Sequence, residues 1–409
     1  MIVSGPMRDE ALERLRGLAA ALEGPCPPFS AHTGPRGGPG LVQGDAGVAL
    51  FYEYLRRSGL PLDSNRGLAV HMERAIEGAA ELALGPALDE GLPGIAWMME
   101  HVSEPGPEDP CEDVDPLLLQ VLSRTPWTHS YDGATGLVGL ALYALERMAR
   151  PLGRALLQRA VEQLAALAER GPLGAFWRTQ PGQLPPELAA RHPRGVVNLG
   201  LAHGVPSVLV VLSGACHHGV APALAKPLLD EGVRYLLAQA DFAAPSPRYC
   251  DWWDGTEAVR GMGHYGWCYG DPGVASALSV CAERVGNSAW AAQALQLGLA
   301  AADHRPEIHD SILCHGTGGL LQMFNRLYQR TGHPRLKEAA LYWFERTLRL
   351  HQPAHPLGGF PAYRPWERPD APFFADPSLL VGSAGVGLAL LAAVTPLEPR
   401  WDSLMFLSA

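Results

Sequence analysis

Gly270-Asp271-Pro272-Gly273-Val274-Ala275 reads as a Gly-x-x-Gly turn with an apolar segment behind it, and the chain carries seven copies of that pattern. They begin at Gly44, Gly91, Gly133, Gly204, Gly270, Gly316 and Gly382, and only the fourth, Gly204-Val205-Pro206-Ser207, lacks the second glycine. Glycine opens a turn and lets backbones approach closely, and the run rich in Ala, Val and Leu behind each turn suits a helix buried on nearly all sides. Between these inner helices, segments 65–82, 154–170, 223–239, 289–302 and 334–350 alternate charged with apolar residues at helical spacing, as outer helices wet on one face do, and 7–22 has the same pattern ahead of the first copy. Successive copies begin 42 to 71 residues apart. That is within or above the range of two-helix repeats, so the longest intervals carry inserted loops.

With both ends inside the pattern, the expected fold is all-α: a double-layered toroid of seven inner and seven outer helices. An open array would show the same periodicity. One repeat running through residues 1–409 predicts a single domain. Composition sets further bounds. The chain is 47% apolar and only 18% charged, which permits a large core, and its net charge of −10 leaves no basic stripe for nucleic acid or an anionic membrane. A cationic or peptide-like substrate is easier to accommodate. Residues 1–10 have neither a basic nor an apolar region of the secretory kind. The uncharged stretch 377–397 is long enough to cross a bilayer, but the seventh turn, Gly382 to Gly385, splits it, so no transmembrane segment is expected. Seven cysteines, an odd number spread over the chain, fit a reducing compartment, and the expected location is cytoplasmic.

A toroid brings the ends of its inner helices to one opening, where equivalent positions converge. Just before the first glycine stand Gln43, Glu90, Asp132, His203, Tyr269, His315 and Val381; one position earlier stand Val42, Asp89, Tyr131, Ala202, Cys268, Cys314 and Leu380. Copies three to six thus load the opening with Asp132, His203, Cys268, Tyr269, Cys314 and His315. Two thiolates and an imidazole suit Zn2+, and three protein ligands leave its fourth tetrahedral position open for catalysis. Lone cysteines are more often small buried hydrophobes, but the shared repeat position and the adjacent His315 favour ligation by Cys268 and Cys314. Cys216-His217-His218-Gly219 lies at the far end of its inner helix, where Gly219 terminates the helix and histidines favour the dipole, so no metal is expected there. Cys26, Cys111, Cys250 and Cys281 have no partner spacing and read as structural. His203 is the candidate acid or base and Asp132 the group that orients it. Tyr269 reads equally as a donor to substrate or as packing against the turn.

These residues carry a resemblance. Tyr131-Asp132-Gly133-Ala134-Thr135-Gly136-Leu137, Leu201-Ala202-His203-Gly204, Trp267-Cys268-Tyr269-Gly270 and Cys314-His315-Gly316-Thr317-Gly318-Gly319 resemble the signature segments of the lanthionine synthetase C family, the lanthipeptide cyclases. The resemblance covers nearly the whole chain, down to Trp401-Asp402-Ser403-Leu404. It implies the same toroid, zinc held by Cys268, Cys314 and His315, and His203 with Asp132 as the acid-base residues. The family usually places an arginine four residues before the first zinc cysteine; here that position is His264, with Arg260 four residues further back. A histidine there is cationic for only part of the time at neutral pH, so its share in stabilising charge is open.

The reaction the resemblance implies begins with a ribosomal peptide whose Ser and Thr are dehydrated. Zinc coordination deprotonates the peptide's cysteine, its sulfur adds to the β-carbon of dehydroalanine or dehydrobutyrine, and the resulting enolate is protonated at the α-carbon. The implied partners are a dehydrated precursor peptide with its leader and a separate dehydratase, since the chain has no dehydratase region of its own. No nucleic acid is implied, and peripheral attachment to a membrane through a complex is compatible. Two other classes stay open: addition of glutathione to dehydrated residues of damaged proteins by the same zinc chemistry, and a non-catalytic helical-ring scaffold. All three ligand positions are filled, which counts against the scaffold.

Overall fold

The computed structural model describes residues 1–24, 38–104, 106–259, 265–367 and 369–408. In chain order its helices are α1 (Pro6–Leu22), α2 (Asp45–Arg57), α3 (Asn65–Glu81), α4 (Leu92–Val102), α5 (Val114–Leu122), α6 (Leu137–Glu146), α7 (Gly153–Leu167), α8 (Pro186–Arg191), α9 (Val205–His217), α10 (Pro222–Ala238), α11 (Asp271–Val285), α12 (Ser288–Asp303), α13 (Thr317–Thr331), α14 (Pro334–Arg349) and α15 (Ser383–Val394). The chain divides into two compact units, one of Met1–Gly85, Asp89–Pro105 and Arg305–Trp401, the other of Pro86–Leu88, Gly106–His304 and Asp402–Ala409. In the first, α2 packs on α3, α4 and α15, α13 on α14 and α15, and α1 on α15. In the second, α9 packs on α6, α10 and α11, α6 on α7, and α11 on α12.

The inner helices are α2, α4, α6, α9, α11, α13 and α15. Every residue of α15 is buried, which its sequence Ser-Ala-Gly-Val-Gly-Leu-Ala-Leu-Leu-Ala-Ala-Val permits because no side chain demands water. Their outer partners α1, α3, α5, α7, α10, α12 and α14 bury one stripe each. α14 turns Leu336, Ala339, Ala340, Trp343, Phe344, Thr347 and Leu348 inward at three- and four-residue spacing, and Trp343 and Phe344 together contribute roughly 3–6 kcal/mol of burial. α5 is an outer helix that charge alternation does not reveal, because its Pro-Leu-Leu-Leu run offers apolar residues to both faces: Leu118 is buried and Leu117 exposed. The segment read as helix over 154–170 ends at Leu167, and Glu169–Gly171 forms strand β1, antiparallel to β2 (Gly174–Phe176). The inserted loops also carry a three-stranded sheet, β3 (Val197–Asn198), β4 (Trp252–Trp253) and β5 (Ala258–Val259), and the pair β6 (Ala362–Tyr363) and β7 (Phe373–Phe374).

Each inner helix starts from a tight loop whose register is set by hydrogen bonds. The first helical N–H donates to the carbonyl seven residues back at Asp45 to Gly38, Leu92 to Gly85, Leu137 to Ser130, Thr317 to Asp310 and Ser383 to Asp376. Neighbouring loops are laced at one carbonyl, two residues before the cap glycine. Leu313 and Cys314 N–H donate to Leu380 O, Leu379 and Leu380 to Val42 O, Leu41 and Val42 to Asp89 O, Leu88 to Ala134 O, and Gly133 to Ala202 O. This lacing corrects the third copy: its cap is Gly136, three residues later than Gly133, with Gly139 as the second glycine. Thr135, not Asp132, is therefore equivalent to His203, and Asp132 sits four residues ahead of the cap. The second glycine is needed because the helix's first turn rests on the loop behind it; a Cβ on Gly385 would overlap the Leu379 carbonyl oxygen.

Candidate metal and acid-base site

Cys268 is buried, two residues ahead of the cap glycine of α11. Its segment is pinned on both sides. Trp267 Nε1–H donates to Met405 O at 2.7 Å, Gly266 N–H donates to Tyr269 O at 2.9 Å, and Gly270 turns the chain into α11 with φ 97°, a left-handed geometry that favours glycine. Asp271, the first residue of α11, accepts from Ser246 Oγ at 2.6 Å and from the Arg248 N–H at 2.8 Å, which ties the inserted loop down beside this turn.

Cys314 and His315 are half-buried in the loop ahead of α13, held by the Thr317-to-Asp310 and Cys314-to-Leu380 hydrogen bonds. The ligand atoms of Cys268, Cys314 and His315 all lie within 4.8 Å of one another. Two sulfurs about 2.3 Å from one tetrahedral zinc would stand roughly 3.8 Å apart, so the spacing fits a single ion, and two thiolate sulfurs with one imidazole nitrogen make a donor set that zinc accepts. Among the described residues this is the one such group of three. Cys216 and His217 close α9, and Gly219 follows with φ 60°, the helix-terminating geometry expected of it. Burial pushes the Cys216 thiol up, away from the thiolate a ligand needs.

His203 stands immediately before Gly204, the cap of α9, and its side chain is 45% exposed, open to a reacting group. Its Nδ1 lies 3.6 Å from Asp132 Oδ2. Asp132 also organises its own turn: Oδ1 accepts the N–H groups of Ala134 at 2.9 Å and Thr135 at 2.8 Å, and Oδ2 accepts the Ser130 hydroxyl at 3.0 Å. Burial works to raise its pKa, but the His203 ring, the Thr135 N–H and the Ser130 hydroxyl outweigh it and hold the carboxyl below its ordinary value. An ionised Asp132 can therefore fix the His203 ring in one tautomer.

Tyr269 is buried, and its Oη accepts hydrogen bonds from Asn198 Nδ2 at 3.1 Å and Trp252 Nε1 at 3.2 Å. Burial, opposed by those two donors, pushes the phenol up to about 12. His264, like Arg260, lies outside the described residues. The residue that sequence reading passed over is Asn198, at the base of the His203 loop. Its signal was a hydrogen-bonding residue six before the cap glycine, a place held in other copies by Ser130, Asp310 and Asp376. Glu90, named by position but given no role, accepts the Gln43 N–H at 2.7 Å. Burial, with Asp89 and Asp376 nearby, raises its pKa to about 7 against that hydrogen bond.

Residues 36–406 match the family model described as lanthionine synthetase C-like protein. The chain belongs to that family. Among solved structures it is similar to nisin cyclase, with a TM-score of 0.71 and 17% identity over 91% of this chain and 93% of that one. At that identity the likeness shows the fold alone, and the fold class is the one expected from the sequence, the all-α toroid of the family. A sugar epimerase from a ruminal bacterium also matches, at a TM-score of 0.48 and 11% identity over 95% of this chain and 98% of that one, too low to carry an argument. No curated protein matches the sequence. Among the described residues of this family member, no helix is long and apolar enough to cross a membrane, and 377–397 is broken by the cap of α15.

Proposed function

We propose that this lanthionine synthetase C-like protein is a zinc-dependent lanthipeptide cyclase, joining cysteine thiols of a dehydrated precursor peptide to its dehydroalanine or dehydrobutyrine residues as thioether rings. The observation that carries this reading is the convergence of Cys268, Cys314 and His315 within the span of one ion. These three would hold zinc, and when bound zinc would lower the pKa of a thiol at its open position. The peptide sulfur then bonds to the β-carbon, the C=C π pair moves onto the α-carbon and carbonyl, and the thiol's proton is replaced by one delivered to the α-carbon. No electrons leave the substrate, so no oxidant is needed.

His203 is the group assigned to that delivery, and Asp132 keeps its ring oriented and stabilises the charged form. Tyr269 acts on this reading through packing and hydrogen bonding beside Cys268. The substrate carries a leader and comes from a separate dehydratase, in the cytoplasm. The deciding experiment incubates the zinc-loaded protein with a peptide dehydrated by a dehydratase, then blocks free thiols and counts them by mass spectrometry. Loss of free thiol at unchanged peptide mass supports cyclisation. A mass gain of glutathione, or no change under any thiol, would replace this reading with protein repair or a scaffold.

A further inference from the structure

Asn198 lies between the two halves of the chemistry assigned above. It is the last residue of β3, paired with Trp252 of β4, and its side chain is buried. Its Oδ1 accepts the Gly200 N–H at 2.8 Å, closing the base of the loop that ends in His203, while its Nδ2 donates to Tyr269 Oη at 3.1 Å. Trp252 Nε1, from the strand beside it, donates to the same oxygen. Both faces of this contact are tight. A Cβ on Gly204, next to His203, would overlap the Asn198 carbonyl, and one on Gly200 would overlap the carbonyl of Cys268. The amide group of one side chain thus spans from the His203 loop to the residue after Cys268, with no room on either side for slack.

We infer that Asn198 and Tyr269 form a positioning pair whose Nδ2–H···Oη bond sets where His203 stands relative to Cys268. This rests on the cyclase reading for its catalytic consequence, though not for its geometry. A proton donor and a nucleophile must be held within a fraction of an ångström of their productive spacing, and the hydrogen bonds within each loop set its own turn and not its distance from the other loop. The pair supplies that constraint through a bond between two buried side chains. The Tyr269 oxygen has its acceptor sites engaged by two N–H donors, which suits a positioning role.

The test uses Asn198→Ala, Tyr269→Phe, the double variant and Asn198→Asp in the full-length, zinc-loaded protein. Each of the first two should lower kcat for cyclisation by about 10- to 100-fold with KM nearly unchanged, as a small misplacement of reacting groups does. The double variant should lose clearly less than the product of the two single losses, because the two changes break one bond in common. Asn198→Asp keeps the acceptor for Gly200 and can receive the Tyr269 O–H, so it should recover most of the rate. Zinc content should stay at the wild-type level throughout. Multiplying losses, or a rate unaffected by Tyr269→Phe, would overturn the pair. A readout free of activity is the His203 imidazole Cε1–H resonance in metal-free protein, assigned through His203→Gln. It should shift in both Tyr269→Phe and Asn198→Ala, and an unmoved resonance overturns the proposal even if the wild type proves inactive on dehydrated peptide. Where Asn198→Ala fails to fold, Tyr269→Phe and Asn198→Asp decide the matter between them.

Discussion

His203 Nδ1 lies 3.6 Å from Asp132 Oδ2, although 71 residues and the helices α6, α7 and α8 separate them. The carboxylate is the less exposed partner and is anchored by its own turn, so it serves as the fixed point against which the more exposed histidine is oriented. His203→Ala should lower cyclisation by roughly 100- to 10,000-fold while zinc content is retained. Asp132→Asn keeps the turn's acceptor oxygen and should cost less, on the order of 10-fold. Steady-state kinetics beside metal analysis checks both, and loss of metal in His203→Ala would reassign it to the ligand set.

Cys268→Ala and Cys314→Ala should each release zinc while the far-ultraviolet circular dichroism stays that of the folded protein. The helices owe their burial to Ala, Val and Leu and not to the ion. Purified wild type should hold about one zinc, with sulfur near 2.3 Å and nitrogen at about 2.0–2.1 Å by X-ray absorption. Substituting Cys216, His217 and His218 together should leave the zinc content unchanged, since that group closes α9 at its C-terminal end.

Glu90 should make the protein less stable as pH rises towards 8. Its folded pKa of about 7 lies above the ordinary 4.5, so the native state holds a proton that the unfolded state has released. Stability is fully present below about pH 4.5 as far as this group is concerned, and declines until pH passes 7, by at most about 3 kcal/mol. Urea unfolding at pH 5, 6, 7 and 8 measures the slope. Glu90→Gln keeps an acceptor for the Gln43 N–H and should flatten it; an unchanged slope would mean that Glu90 ionises normally.

Gly385→Ala should destabilise the fold by roughly 1–3 kcal/mol, because the new methyl group would overlap the Leu379 carbonyl oxygen and press on the Leu313 side chain. Gly219→Ala has open space around it and suffers only the cost of a positive φ, so it should be the milder change. Thermal denaturation of the two variants side by side makes the comparison.

The sequence alone determined the seven inner helices, because a glycine turn followed by an uncharged Ala, Val and Leu run has few other places to go than a core. It determined Cys268, Cys314 and His315 as a set for a related reason: repeat position is a spatial coordinate once each copy folds alike. It also separated Cys216 to His218 from that set, since Gly219 marks the wrong end of a helix. Only the tertiary structure decided the register of the third copy. Gly133 and Gly136 both stand in glycine turns, and the choice between them is made by a hydrogen bond from Leu88 to Ala134 O in another loop. It likewise decided the partners of Tyr269: repeat position marks Asn198 of β3 as a hydrogen-bonding residue but not what it bonds, and Trp252 of β4 lies in an inserted loop where there is no repeat to read. α5 escaped for the opposite reason, its leucines pointing both ways. Residues that act through the repeat are legible in order; residues that act through contacts between insertions become legible only when the chain has closed around them.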